Sequence, residues 1–204
     1  AAEADELCRT CHDAAPGEEP GARIHDPVKT GCVSCHAPHG SAEPHLVRAK
    51  GKMLCLACHS DTRERITRAV KVHDPIQSQD CDVCHVAGGT FVPALFSHTG
   101  IVDNCASCND GVAATGKSVG HLPTTEDCSL CHQPHGSNHP ASLTRRAPLL
   151  CQQCHSAVGH PSFDYTGEDI DDVGRQNYLL SRSCMNCHSQ VHGSNHPSGS
   201  SQLR

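Results

Sequence analysis

The chain has 204 residues, a formal charge of −6, 16 cysteines and 18 histidines, but only three phenylalanines, two tyrosines and no tryptophan. Its hydrophobic fraction of 36% includes those cysteines and falls short of the ~45–50% of an ordinary globular chain, so side chains alone cannot supply the core that this length calls for. The sequence also lacks an apolar run of the ~18–20 residues a spanning helix needs, a basic stripe for nucleic acid, and any phosphate-cradling or nucleophile-elbow motif.

In chain order the cysteines form eight C-x-x-C pairs: Cys8 and Cys11, Cys32 and Cys35, Cys55 and Cys58, Cys81 and Cys84, Cys105 and Cys108, Cys128 and Cys131, Cys151 and Cys154, and Cys184 and Cys187. Seven are followed at once by histidine: His12, His36, His59, His85, His132, His155 and His188. The fifth pair is followed by Asn109. C-x-x-C-H reads as attachment of c-type haem. Two thiols three residues apart on a tight turn reach the two vinyl groups of one porphyrin edge, and the adjacent imidazole comes under the iron. Structural zinc has no need of histidine directly after the second cysteine in seven cases of eight. A disulfide framework suits a smaller secreted scaffold, and a thioredoxin-type redox pair needs a βαβ context that is not visible.

The pairs recur at a nearly fixed period, with one longer interval between Cys151 and Cys184. A period of about 24 residues marks a repeat array, in which each short polar unit buries a haem against the next. Smaller repeats lie inside it: HDP at 25–27 and 73–75, PHGS at 38–41 and 134–137, HGSNHP at 135–140 and 192–197. Thirteen prolines and 17 glycines break the chain into short pieces, so short helical turns carry the motifs, some with acids in the first turn, such as Asp80 and Asp127. Longer helices are expected over 61–72, with Ile66 and Val70 inward, and over 168–181, beginning in the acidic cluster Glu168, Asp169, Asp171 and Asp172. The expected fold is a single domain over 1–204, mostly irregular with short α-helices and little or no β-sheet: an extended array of about eight repeats with haems forming the core and a tail at 193–204.

Seven proximal histidines leave eleven others. His25, His73, His98 and His121 precede a motif by seven or eight residues, and His39, His135, His192 and His160 follow a proximal histidine by three to five. These eight are the candidate distal ligands. A histidine three residues past a proximal ligand cannot reach the far face of its own ring, so it should serve a neighbouring haem. His45, His139 and His196 are weaker candidates, and Met53 and Met185 are too few for methionine ligation. Predominant bis-histidine ligation implies low-potential, six-coordinate iron suited to electron transfer rather than catalysis. At the fifth motif the alternatives stay open: an eighth haem drawing ligands from elsewhere, His98 among them, or a disulfide or free thiols in a degenerate repeat. An iron left five-coordinate there could bind a small molecule.

CVSCHAPHGS…LCLACHS and CSLCHQPHGS…LCQQCHS resemble the doubled-CxxCH motif of multihaem cytochromes c. CQQCHSAVGHP with SCMNCHSQVHGSNHPSG resembles the periplasmic decahaem cytochromes of Mtr-type outer-membrane electron conduits. SHTGIVDNCASC…GHLPTTEDCSLCH is similar to repeats in multihaem cytochromes of metal-reducing bacteria. The resemblance implies haem c, seven or eight copies per chain, attached after export to the periplasm. It also implies a haem wire exchanging electrons with redox protein partners, among them an outer-membrane β-barrel porin and an extracellular multihaem cytochrome. That family has more motifs on a longer chain, and Asn109 departs from its pattern. The opening AAEADELC reads as a mature start after signal removal, which puts the protein in the periplasm or at the outer membrane, or outside the cell. The expected function is therefore an electron carrier, not an enzyme. The alternatives are a subunit of an extracellular cytochrome filament, self-associated head to tail, and a reductase with an open fifth haem, against which stands the scarcity of Arg, Lys and Tyr near Cys105.

Overall fold

The computed structural model describes residues 2–12, 21–91, 93–112, 117, 120–155, 184–186 and 188–196. The helix expected over 168–181, its acidic cluster, His160, Cys187 and the tail beyond 196 lie outside the described residues.

The described chain is a string of short pieces: helices α1 (Ala2–Arg9), α2 (Asp26–Thr30), α3 (Lys52–Leu56), α4 (Ser60–Arg68), α5 (Asp74–Ser78), α6 (Ile101–Ala106), α7 (Leu122–Glu126) and α8 (Ala147–Cys151), with one antiparallel pair of two-residue strands, β1 (Arg23–Ile24) on β2 (Gly89–Thr90). Helices this short do not persist by propensity; local chemistry pins them. In α2, α5 and α7 proline stands in the first turn, where its missing N–H costs nothing and its fixed φ favours helix. The residue before each is a histidine in extended backbone, His25, His73 or His121. None makes a side-chain cap, so each imidazole is left for other work.

The repeat is in fact double, with two kinds of C-x-x-C turn alternating along the chain. Cys8, Cys55, Cys105 and Cys151 lie toward the C-terminal ends of α1, α3, α6 and α8. Cys32, Cys81, Cys128 and Cys184 instead open one-turn 3-10 helices. The first three of these are followed by a second 3-10 turn, Pro44–Leu46, Pro93–Leu95 and Pro140–Ser142. Each second turn holds two successive residues in left-handed backbone: His45 and Leu46, Ala94 and Leu95, Ala141 and Ser142. Left-handed backbone costs an L-residue roughly 1–2 kcal/mol, and three copies of the same strain point to a function for it.

The expected acids do cap, with one change of partner. Asp127 accepts from the Ser129 N–H at 2.7 Å within its own turn, whereas Asp80 accepts from Lys52 N–H at 2.9 Å and so starts α3 of the preceding unit. Gly51, at φ +49, is what lets that carboxylate approach, since a Cβ there would collide with it. The helix expected over 61–72 ends at Arg68. Beyond it Val70 N–H donates to Asn138 Oδ1 at 2.9 Å and Lys71 bridges to Ser137. That pairing draws the backbone straight, and Val70 is 85% exposed rather than inward.

Leu56 is the only buried hydrophobic residue among those described, and no side chain among them is fully buried. The polypeptide exposes 14453 Å², against about 9,200 Å² for a compact chain of its mass. Distant units are clasped together where the second PHGS reaches back: Gly136, at φ +141, brings the loop against the end of α4, and a Cβ there would lie 2.7 Å from that of Ala69. Gly136→Ala is expected to cost about 1–3 kcal/mol through strain and overlap and to pull the adjacent His135 off its partner. A lowered melting temperature with altered axial-ligand spectra would show both effects.

Candidate haem sites and their order

All eight C-x-x-C motifs close the same turn. The N–H of the residue after the second cysteine donates to the carbonyl of the first, at 2.8–3.1 Å, for His12, His36, His59, His85, Asn109, His132, His155 and His188 alike. This closure sets the following side chain beside the two sulfurs. In three motifs the imidazole is further oriented from behind. His36, His85 and His132 each donate Nδ1–H, at 2.8 Å, to the carbonyl nine residues on, that of His45, Ala94 and Ala141. Those carbonyls belong to the left-handed residues, whose strain thus holds Nε2 as the free nitrogen, as a metal-binding imidazole requires. The carbonyl of the second left-handed residue accepts from the residue after the histidine, at 2.7 Å each time. Sequence reading missed this support. Its signal was a proline eight residues past the histidine, at Pro44, Pro93 and Pro140.

The imidazoles come in twos. His25 faces His59 with ring centroids 5.9 Å apart, His85 faces His135 at 6.1 Å, His121 faces His155 at 6.0 Å and His132 faces His192 at 6.0 Å, with interplanar angles of 10–23°. An imidazole nitrogen sits about 2.0–2.1 Å from a coordinated metal and about 1.1 Å from its ring centre, so two axial rings on one metal would stand roughly 6.2 Å apart. The four gaps have that width. Each joins one motif's histidine to a histidine flanking a different motif; His135 lies against His85, not against His132 three residues before it. Burial pushes the pKa of His135 and of His192 down, with His85 and His132 respectively adding to it. Both are therefore held neutral, with a lone pair to give.

Other sequence-singled histidines fall elsewhere. His73 caps α5 as His25 caps α2 and His121 caps α7, yet no ring stands against it among the described residues. His98 is exposed on the loop before α6. The place that His135 and His192 fill after their motifs is filled by His39 after the second motif and by Gly88 after the fourth. His45 contributes its carbonyl. The backbone N–H of His139 and of His196 donates to Ser137 and Ser194, at 3.0 and 2.9 Å.

The sulfurs show how the motifs follow one another. Burial raises the Cys32 thiol, with Asp5 and Cys8 close by. Cys55 is pushed up to about 11 by burial and by Cys81, with Cys35 on its other side. Cys105 rises to about 12 by burial and by Cys128, with Cys84 beyond. Cys151 rises to about 11 by burial and by Cys184, with Cys131 beyond. Cys84 neighbours Cys108, and Cys131 neighbours Cys154. From the first motif to the eighth, the sulfurs of each thus lie near enough to act on those of the next, in chain order. Among the described residues no group of three or more His, Cys, Asp or Glu converges to hold a free ion.

Eight thiol pairs on one kind of closed turn, an imidazole beside seven of them, and four facing imidazoles across metal-sized gaps mark a multihaem c-type cytochrome, and the chain is one, carrying covalent haem c. It matches the doubled CXXCH motif family over residues 25–64 and 121–160. It is 36% identical over 197 residues to the multiheme cytochrome MtrA of Shewanella baltica (strain OS185), covering 95% of this chain and 58% of that relative. The chain therefore spans little more than half the length of that relative.

Proposed function

We propose that this chain is an electron relay, its eight motifs each carrying a haem and the haems forming one unbranched row in chain order. Cys8 and Cys11, Cys32 and Cys35, Cys55 and Cys58, Cys81 and Cys84, Cys105 and Cys108, Cys128 and Cys131, Cys151 and Cys154, and Cys184 and Cys187 would hold them. His12, His36, His59, His85, His132, His155 and His188 would supply proximal nitrogens, and His25, His121, His135 and His192 distal ones. Haem iron, once bound, supplies reversible one-electron exchange. The chain's part is to keep neighbours close, block both axial faces where two imidazoles meet, and leave no substrate position there. The observation that carries this reading is the four imidazole pairs at one spacing, set along a row of touching motifs.

Likeness to the multiheme cytochrome MtrA supports a place in the periplasm or at the outer membrane. There the redox partners would be proteins, a β-barrel porin and an extracellular cytochrome among them. Among the described residues no helix is long and apolar enough to cross a membrane. The charge of −6, made more negative by haem propionates, calls for partners with basic faces and salt-dependent encounter rates.

The denatured holoprotein is expected to show the mass of the chain plus eight haems. Seven would empty the Cys105 and Cys108 motif, and none would end the proposal. Imaging of the native material should give particles or a barrel complex; fibres would replace the relay by a filament subunit.

A further inference from the structure

We infer that the haem at Cys105 and Cys108 has a single axial imidazole, from His73, and an open face above Asn109 that takes a small neutral diatomic ligand. This rests on the proposed attachment of haem at all eight motifs.

The first support is positional. His25 and His121 hold the same station, the residue before a five-residue helix with proline in its first turn. Each reaches, by the same stride along the chain, the histidine of the next helix-borne motif: His59 and His155. His73 holds that station before α5, with backbone φ −62 and ψ 133 against −61 and 128 at His25. The next helix-borne motif is the one on α6, and the residue in the proximal place there is Asn109. His98 stands at the register of Ala49 and Arg145 in the neighbouring units, where no imidazole occurs.

The second support is the local geometry at Asn109. Its N–H closes the motif turn onto Cys105 at 3.1 Å, as in the seven histidine motifs, so the sulfurs are presented in the ordinary way. Its side chain, however, donates from Nδ2 to the same Cys105 carbonyl at 3.0 Å. The amide is folded onto its own turn; its nitrogen has no lone pair to offer a metal, and its carbonyl oxygen suits hard cations rather than haem iron. Cys105 keeps the sulfur neighbours of its class, Cys128 and Cys84, as Cys55 keeps Cys81 and Cys35. The site is complete as an attachment and half complete as a ligand set.

The surroundings select the ligand. Asp103 and Asp110 flank the motif on the same segment, and Asp127 lies near enough to act on Cys105. The Asp127 carboxylate beside Cys105 disfavours an incoming anion and leaves a neutral diatomic, which ferrous haem with one histidine binds readily.

The test compares the holoprotein with Asn109→His, His73→Ala and His98→Ala variants, each checked for haem count by denatured mass. Carbon monoxide uptake of the reduced protein is titrated per chain. Asn109→His restores the residue present in seven other motifs and is expected to remove about one equivalent of uptake and convert that haem to low spin. His73→Ala should keep the uptake but shift the iron–carbonyl stretch as the trans imidazole is lost, while His98→Ala should shift nothing. A full haem count with equal uptake in the holoprotein and Asn109→His overturns the open face and leaves the relay standing. A stretch that moves in His98→Ala and not in His73→Ala overturns the ligand assignment. A count of seven overturns both site and ligand.

Discussion

Replacing both cysteines of every motif with serine is expected to leave an unfolded chain, with a coil-like far-ultraviolet spectrum and no protected amides. The reason is the scarcity of protein-only packing. Leu56 is the one buried hydrophobic residue among those described, while Leu7, Met53, Phe91, Leu122 and Leu149 are more than half exposed. Ordering a residue costs about 1–2 kcal/mol of backbone entropy. Against that the described polypeptide sets helices of five to nine residues, below the ~12–15 that persist alone, and a two-residue strand pair that would not stand by itself. What closes the balance is apolar porphyrin set into the surplus surface, tied twice by covalent bonds and pinned across distant segments wherever two imidazoles meet. The pair His85 and His135 alone ties the fourth motif to the loop that follows the sixth. A serine-substituted chain that kept native amide protection would show that the peptide, and not the porphyrin, makes the core.

That dependence explains which parts of the molecule could be read from its residues. Thioether chemistry demands two thiols three residues apart with a histidine next to them, so the motifs, the scarcity of sheet and the class of cofactor are written locally. The near-constant spacing of the motifs was also visible, and two stretches resembled a doubled motif, but the two kinds of turn that make up each double were not. Cys55 at the end of a helix and Cys81 at the head of a 3-10 turn have the same local string and differ in what packs around them. The prolines at 44, 93 and 140 marked the difference and were legible in principle. Val70 shows the opposite failure. A helical pattern ran through it, and a pairing with a distant unit, Lys71 with Ser137, overrode the pattern. Partner choice among the histidines was the least accessible. Counting eight candidates for eight motifs treats them as interchangeable, whereas each has a station. His73 holds the station of His25 and His121 before a proline-led helix, and Gly88 occupies a station that His135 and His192 fill elsewhere.

Cutting the row at its middle should abolish transfer between its ends. Cys81 lies beside Cys55, and Cys84 beside Cys108, so the fourth motif is the contact between the third and the fifth. On the proposed row the fourth haem is the step between the third and the fifth, and removing it leaves a gap of one haem between them. In the Cys81→Ala/Cys84→Ala variant, bound to an electrode through a biotinylated C-terminal tag, reduced equivalents held before the gap are expected to discharge only through soluble mediators. The same double change at Cys8 and Cys11 should remove one haem and leave discharge of the rest intact. A gentler variant separates a broken path from a disturbed fold. His135→Met keeps the thioethers at Cys81 and Cys84 but exchanges one axial imidazole for a thioether, which raises the potential at that place. An electron arriving there falls into a trap, so discharge should slow while the haem count and melting temperature hold. Equal discharge from the gapped and intact chains would mean that the motifs are bridged in some order other than that of the sequence.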